Sequence, residues 1–206
     1  DYVSKTKKPI FLSTGMSTMS DVVSAVDTIY ANSKAKLVIF QCTTNYPSSI
    51  TEANINVIES FKSIPNIEVA YSDHVSNNYA CFAAVAKGVF AIEKHFTLDN
   101  LFPGPDHSCS LDPNGFKELV NGIRQIEESL GTFEKEPTKS EKENIFGMKR
   151  SIVYKNNLSQ GTILSLTDFS FKRPMNGLIP NNVDHFIGKK LITDVLKDEL
   201  VNFNHL

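Results

Sequence analysis

From residue 9 to residue 131, two patterns of apolar positions alternate. Four short runs, Pro9–Ser13, Leu37–Cys42, Ile67–Tyr71 and Val89–Glu93, are nearly continuous in apolar residues, as buried parallel strands are. A stretch with helical spacing follows each run. Val22, Val23, Val26, Ile29 and Tyr30 share one face, and Ile55, Ile58, Phe61 and Ile64 repeat the spacing. The third helix, Asn78 to Lys87, is short and rich in small residues, with Gly88 as its stop. In the fourth, Asp112 caps, Pro113 suits the first turn, and Phe116, Leu119, Val120, Ile123, Ile126 and Leu130 line one face before Gly131. Four consecutive strand–helix units predict parallel strands with right-handed crossovers. Both a doubly wound sheet and part of a (β/α)8 barrel meet that description. A whole barrel takes about 250 residues, so this segment would be half of one.

Beyond Gly131 the pattern changes. The charged stretch "GTFEKEPTKSEKENIFG" predicts a linker over residues 132–147, between a first domain of residues 1–131 and a second of 148–206. In the second, the short runs Arg150–Tyr154, Thr162–Leu166, Phe169–Lys172 and Ile187–Ile192 are broken by "NNLSQG", "RPMNG" and "IPNN". That spacing predicts a small β-rich domain with many turns.

Composition narrows the partners. The 206 residues are 41% hydrophobic and 21% charged, with a net charge of −2. There is no basic face to attract nucleic acid or an anionic membrane. No apolar run approaches the roughly 20 residues of a membrane span. Cys42, Cys81 and Cys109 match no CxxC zinc pattern, so reduced thiols in a cytoplasmic protein are expected. The chain begins at Asp1 rather than Met, so the lack of a signal peptide says little.

Candidate chemistry gathers where the strands end: Ser13-Thr14-Gly15, Cys42-Thr43-Thr44-Asn45, Ser72-Asp73-His74 and Lys94-His95. Ligands of parallel α/β proteins bind at these C-terminal ends. Strand alternation puts Ala70, Ser72 and His74 on one face, and Ala91, Glu93 and His95 on the matching face of the next strand. Val69, Tyr71, Phe90 and Ile92 take the opposite face, where helices would cover them. Two imidazoles at matching heights on neighbouring strands can hold one divalent metal. They can equally be separate ring residues that each hydrogen-bond near a loop. Glu93 lies on the same inward face, either as partner of a buried polar group such as Gln41 or as an orienting group. In "FPGPDHSCS", Asp106 can overhang the site or simply make a turn. No GxGxxG or GxxxxGK[ST] occurs. "STGMST" with Thr18-x-x-Asp21 could cap a helix and receive a phosphate through Ser13 and backbone amides.

Seven segments, "KPIFLSTGM", "CTTNYP", "YSDH", "EKHFT", "GPDHSCSLDP", "RSIV" and "KRPMNG", fall in the order seen in sialic acid synthases, whose close relatives make legionaminic and pseudaminic acids. The chain resembles this family over nearly its whole length. The resemblance implies strands five to eight of a (β/α)8 barrel, then a small antifreeze-like (SAF) domain, with the first four strands not in this sequence. It implies condensation of phosphoenolpyruvate with an N-acetylated hexosamine such as N-acetylmannosamine, aided by Mn2+ or Mg2+. By the same resemblance, His74 and His95 are the metal ligands, and Ser13 and Ser72 contact phosphoenolpyruvate. Thr44 stands where some members have an asparagine. Tyr46 and Asp106 fall on the acceptor-sugar side, and Arg173 is the arginine that a partner subunit's SAF domain extends into the active site, which implies a domain-swapped homodimer. Two other readings stay open on the residues alone: a non-catalytic sugar- or protein-binding module, and an unrelated two-histidine metal hydrolase.

Overall fold

The computed structural model describes residues 1–206. They form two compact units, residues 1–132 and 133–206.

The first unit is a four-stranded parallel sheet with helices on one face. Strands β1 (Ile10–Ser13), β2 (Leu37–Cys42), β3 (Ile67–Asp73) and β4 (Ile92–Lys94) pair in sequence order, β1-β2-β3-β4. Helices α1 (Met19–Asn32), α2 (Val57–Lys62), α3 (Tyr79–Ala86) and α4 (Pro113–Leu130) follow them in turn. Sequential order means that every crossover turns the same way and the helices share one side. A doubly wound sheet has a reversal point and helices on both faces. The order here is that of an arc of a barrel, which decides between the two architectures that the sequence leaves open.

Burial follows from that order. Ile10, Leu37, Ile39, Val69 and Tyr71 point to the helical side and pack with Val22, Val26, Ile29, Ile58, Phe61, Ala84 and Leu119. Fully burying a side chain of this size contributes about 1.5–3 kcal/mol. On the other, inner face lies a small cluster of Val38, Phe40, Ala70 and Ala91. Phe11 stacks against Phe40 at 5.9 Å but remains 59% exposed. Local signals hold the helix ends. Thr18 and Asp21 form a reciprocal capping box on α1, and the Asp112 carboxylate accepts the Gly115 amide hydrogen bond at 2.7 Å on α4.

The last strand is shorter than the apolar run Val89–Glu93 suggests. Phe90 already donates its amide to Val69 at 2.7 Å, but regular pairing is confined to Ile92–Lys94. Like β1, β4 has a neighbour on one side only. Phe90, expected under a helix, is 59% exposed.

In the second unit, β5 (Ser151–Tyr154) pairs antiparallel with β6 (Phe169–Lys172). Its core is Ile152, Tyr154, Leu164, Phe169, Phe186, Leu191, Val195 and Val201. The runs Thr162–Leu166 and Ile187–Ile192 do not become strands. They meet at a single bridge, Ile163 to Lys190, supported by backbone bonds from Leu164 to Lys189 and from Leu191 to Thr162. Part of the stretch expected to be a linker is a helix, α5 (Lys139–Met148), closed by a capping box between Thr138 and Glu141.

Candidate functional site

The site grows out of the register of β1 to β4. Cys42 pairs with Ser72, and Ser72 with Glu93, all on the inner face. Two residues further along each strand come Thr44, His74 and His95. The two histidine rings lie 5.2 Å apart, centre to centre, edge to face. Tyr46 packs against both at a tilt, its ring centre 4.2 Å from that of His74 and 5.3 Å from that of His95. The structure thus gathers three of the residues that the sequence singled out.

His74 is held in one tautomer. Its Nδ1 lies 2.7 Å from the Thr43 carbonyl oxygen, which can only accept, so Nδ1 carries the proton. Nε2 is left with a lone pair. Burial chiefly pushes the His74 pKa below its ordinary value, and neighbouring His95 adds to this. The backbone bond and the charges of Asp73 and Glu93 pull the other way without prevailing. A neutral ring with a lone pair on Nε2, facing a second ring at this distance, offers a nitrogen donor of the kind divalent cations take.

Behind the pair lies a buried ion pair. Asp73 and Lys94 precede His74 and His95 directly, and their side chains turn to the helical face. The Lys94 ammonium donates to Asp73 at 2.7 Å, with 2% and 0% of the two side chains exposed. Asp73 also accepts from the Tyr71 hydroxyl at 2.9 Å, the Val75 amide at 3.1 Å and the Cys81 thiol at 3.1 Å. Lys94 also donates to the carbonyls of Val75 and Asn77. Burial, then the Asp73 charge, raise the pKa values of Tyr71 and Cys81. The network ties β3 to β4 at the level of the histidines.

The remaining candidates are placed as follows. The Ser72 hydroxyl donates to Glu93 at 2.8 Å. Gln41 points to the helical side and bonds the Ala53 carbonyl at 3.2 Å, so Glu93 is not its partner. Ser13 is exposed at the end of β1. The buried Thr14 hydroxyl next to it bonds the Phe40 carbonyl at 2.7 Å. Gly15 lies so close to Thr44 that a β-carbon there would be 2.0 Å from Oγ1. Ser17, Thr18, Cys42, Thr44 and Asn45 help line a cleft of about 560 Å3 on the β1–β2 side of the rim, which does not include the histidines. Asp106 is exposed in the loop after β4, close to His95. Arg173 belongs to the second unit, where its Nε donates to the Met148 carbonyl at 2.7 Å.

Sequence reading missed two features. The Asp73–Lys94 pair joins residues 21 apart, and each alone looks like an ordinary charge beside a loop. Cys109 passed as a spare thiol, yet it lies within 4.8 Å of ligand atoms of His95 and Asp106. Its i, i+3 spacing from Asp106 was the available signal, since such residues eclipse one another in a 3-10 turn.

The fold has matches among known proteins. Residues 1–135 match the model of the NeuB family, and residues 149–206 match the SAF domain. The chain is 41% identical over 204 residues to an uncharacterized protein of Methanocaldococcus jannaschii, covering 99% of this chain and 60% of that one. It is 37% identical over 201 residues to the N,N'-diacetyllegionaminic acid synthase of Campylobacter jejuni, covering 97% and 60%. The solved N-acetylneuraminic acid synthetase of Leptospira borgpetersenii, in complex with citrate, superposes with a TM-score of 0.63 at 31% identity, over 69% of this chain and 50% of that one. The chain thus spans about 60% of the length of these curated relatives. No helix is long and apolar enough to cross a membrane. With the NeuB family model matched over residues 1–135 and the SAF domain over residues 149–206, the chain belongs to the NeuB family.

Proposed function

We propose that this chain carries one wall of the active site of a nonulosonic acid synthase, which condenses phosphoenolpyruvate with an N-acetylated hexosamine such as N-acetylmannosamine. One observation carries the reading. At the C-terminal ends of adjacent strands, His74 and His95 face each other at 5.2 Å, and the proton on His74 Nδ1 leaves Nε2 free. The names of the legionaminic acid synthase and N-acetylneuraminic acid synthetase relatives support the reaction class.

In this reading His74 and His95 hold a divalent ion, Mn2+ or Mg2+. Bound there, such an ion supplies Lewis-acid polarisation of the sugar aldehyde. The hydroxyls of Ser13, Thr44 and Ser72 orient phosphoenolpyruvate. The single Ser72 proton is given to Glu93 in this structure, so that hydroxyl turns from Glu93 to donate to the phosphoenolpyruvate anion. Tyr46 and Asp106 bind the acceptor sugar. C3 of the enol attacks the aldehyde carbon, and cationic character develops at C2. The aldehyde oxygen takes up a proton, water adds at C2 and gives one up, and the bond between C2 and the phosphate-bearing oxygen breaks to release phosphate. Arg173 enters from the partner subunit of a domain-swapped homodimer, where its planar guanidinium recognises the acetamido group. The enzyme works in the cytoplasm. The hydroxyls on this chain are neutral and cannot balance the phosphate charge, so residues 1–206 alone are inactive.

The test is phosphate release by a protein extended to the length of its relatives, given Mn2+, phosphoenolpyruvate and N-acetylmannosamine. Phosphate release that disappears in His74→Ala and in His95→Ala is the expected result. Failure with every N-acetylhexosamine tried would sink the reading, and full activity in either variant would sink the ligand assignment.

A further inference from the structure

Three metal-ligating side chains of different chemistry meet where the loop after β4 folds back. A ring nitrogen of His95, a carboxylate oxygen of Asp106 and the Sγ of Cys109 all lie within 4.8 Å of one another. Zinc bonds of about 2.0–2.3 Å in tetrahedral geometry set ligand atoms roughly 3.3–3.8 Å apart, so side-chain rotations of about 1 Å would close the set. The backbone that carries them is fixed. The Leu111 amide donates to the His95 carbonyl, and the Thr97 amide to the Leu111 carbonyl, both at 2.9 Å, which binds the base of the loop to the end of β4. The Asn100 side chain donates to the carbonyls of His107 and Ser110, at 2.8 Å each. Within the loop, His107–Cys109 is a 3-10 turn that starts just after Asp106, so positions 106 and 109 stand on the same side. His107 is turned away, with its Nδ1 2.7 Å from the Thr97 hydroxyl and its ring against Phe102.

We propose that His95, Asp106 and Cys109 form a thiolate-containing site for ions of the zinc class, Zn2+, Co2+ or Cd2+, that shares His95 with the His74–His95 pair. The thiolate separates the two: it favours these softer ions, whereas the His74–His95 pair offers imidazole nitrogens only. On binding, the Cys109 S–H bond breaks, a sulfur–metal bond forms, and the proton leaves to solvent without any change of oxidation state. In this structure that thiol donates to the Asp106 carbonyl at 3.2 Å. Because His95 belongs to both sets, an ion here competes with the pair wherever both draw on the same ring nitrogen. The assignment concerns binding alone and does not depend on the synthase reading.

Cobalt tests it, because a thiolate ligand gives Co2+ an intense near-ultraviolet charge-transfer band that imidazole and carboxylate ligands do not. The metal-free chain is titrated with Co2+ in the absence of any substrate. The expected band saturates at one cobalt per chain, is lost in Cys109→Ser and in His95→Ala, persists in His74→Ala, and is bleached by one equivalent of Zn2+. No band in the unaltered chain, or a band that survives Cys109→Ser, overturns the proposal. A second measurement needs no variant. Zn2+ at ten times its Kd should slow alkylation of Cys109 about tenfold, read by mass spectrometry, while Cys42 reacts as before. Equal Cys109 rates with and without Zn2+ would also overturn it. Since cobalt binding is read without substrate, lack of synthase turnover leaves the outcome unaffected.

Discussion

Replacing Lys94 with Met should unfold the first unit far more readily than its volume change suggests. Methionine fills much of the space but leaves the Asp73 carboxylate in a site with no exposure and no countercharge. Breaking a buried pair from one side costs about 3–5 kcal/mol. The hydroxyl, amide and thiol donors that remain on Asp73 favour the lower end, about 3 kcal/mol. Against a domain stability of about 5–15 kcal/mol, that is a large loss. With an m-value of about 1–3 kcal/mol/M, the urea midpoint should fall by about 1–3 M. The assay is circular dichroism on the helical transition that α1–α4 dominate. Asp73→Asn should cost less, since Lys94 keeps two carbonyl acceptors. The double variant should then be more stable than the sum of the singles predicts, with a coupling of about 0.5–3 kcal/mol. A Lys94→Met cost under about 1 kcal/mol, or singles that add within about 0.5 kcal/mol, would refute the idea that this pair fastens β3 to β4.

Two further outcomes follow from the same geometry. With its pKa depressed in the folded state, His74 stays neutral while an unfolded histidine, near 6.5, takes up a proton, so its contribution to stability is complete above about pH 6.5 and lost as pH falls toward the folded value. An NMR titration of His74 should give a midpoint below about 6.5, and a midpoint at or above that value contradicts the burial argument. Asp112→Ala should destabilise α4 by about 0.5–2 kcal/mol by freeing the Gly115 amide, measured as a shift in thermal midpoint; no shift would mean the cap is idle.

Much of this was legible from residue order. The run Leu37–Cys42 is apolar throughout because both faces of a central barrel strand are covered, and it emerged as a strand with those bounds. The inward phase of His74 and His95 followed from strand alternation. Other features lay beyond local pattern. The charge of residues 132–147 masked a helix whose Thr138-x-x-Glu141 cap is written in the sequence. The apolar run Val89–Glu93 gave no sign that regular pairing would be confined to Ile92–Lys94. The Asp73–Lys94 pair needs two strands in register before either charge has a partner. Cys109 needed the turn at 107–109 to bring it within reach of His95.

The close approach of Gly15 and Thr44 bears on how the rim can change by mutation. With no side chain at 15, the hydroxyl at 44 occupies the space a β-carbon would take. Any larger residue at 15 forces that hydroxyl to rotate away, and with it the direction of a group at the strand end. The two positions therefore form one heritable unit, 29 residues apart in sequence, and substitutions tolerated at either should co-vary across descendants of this chain.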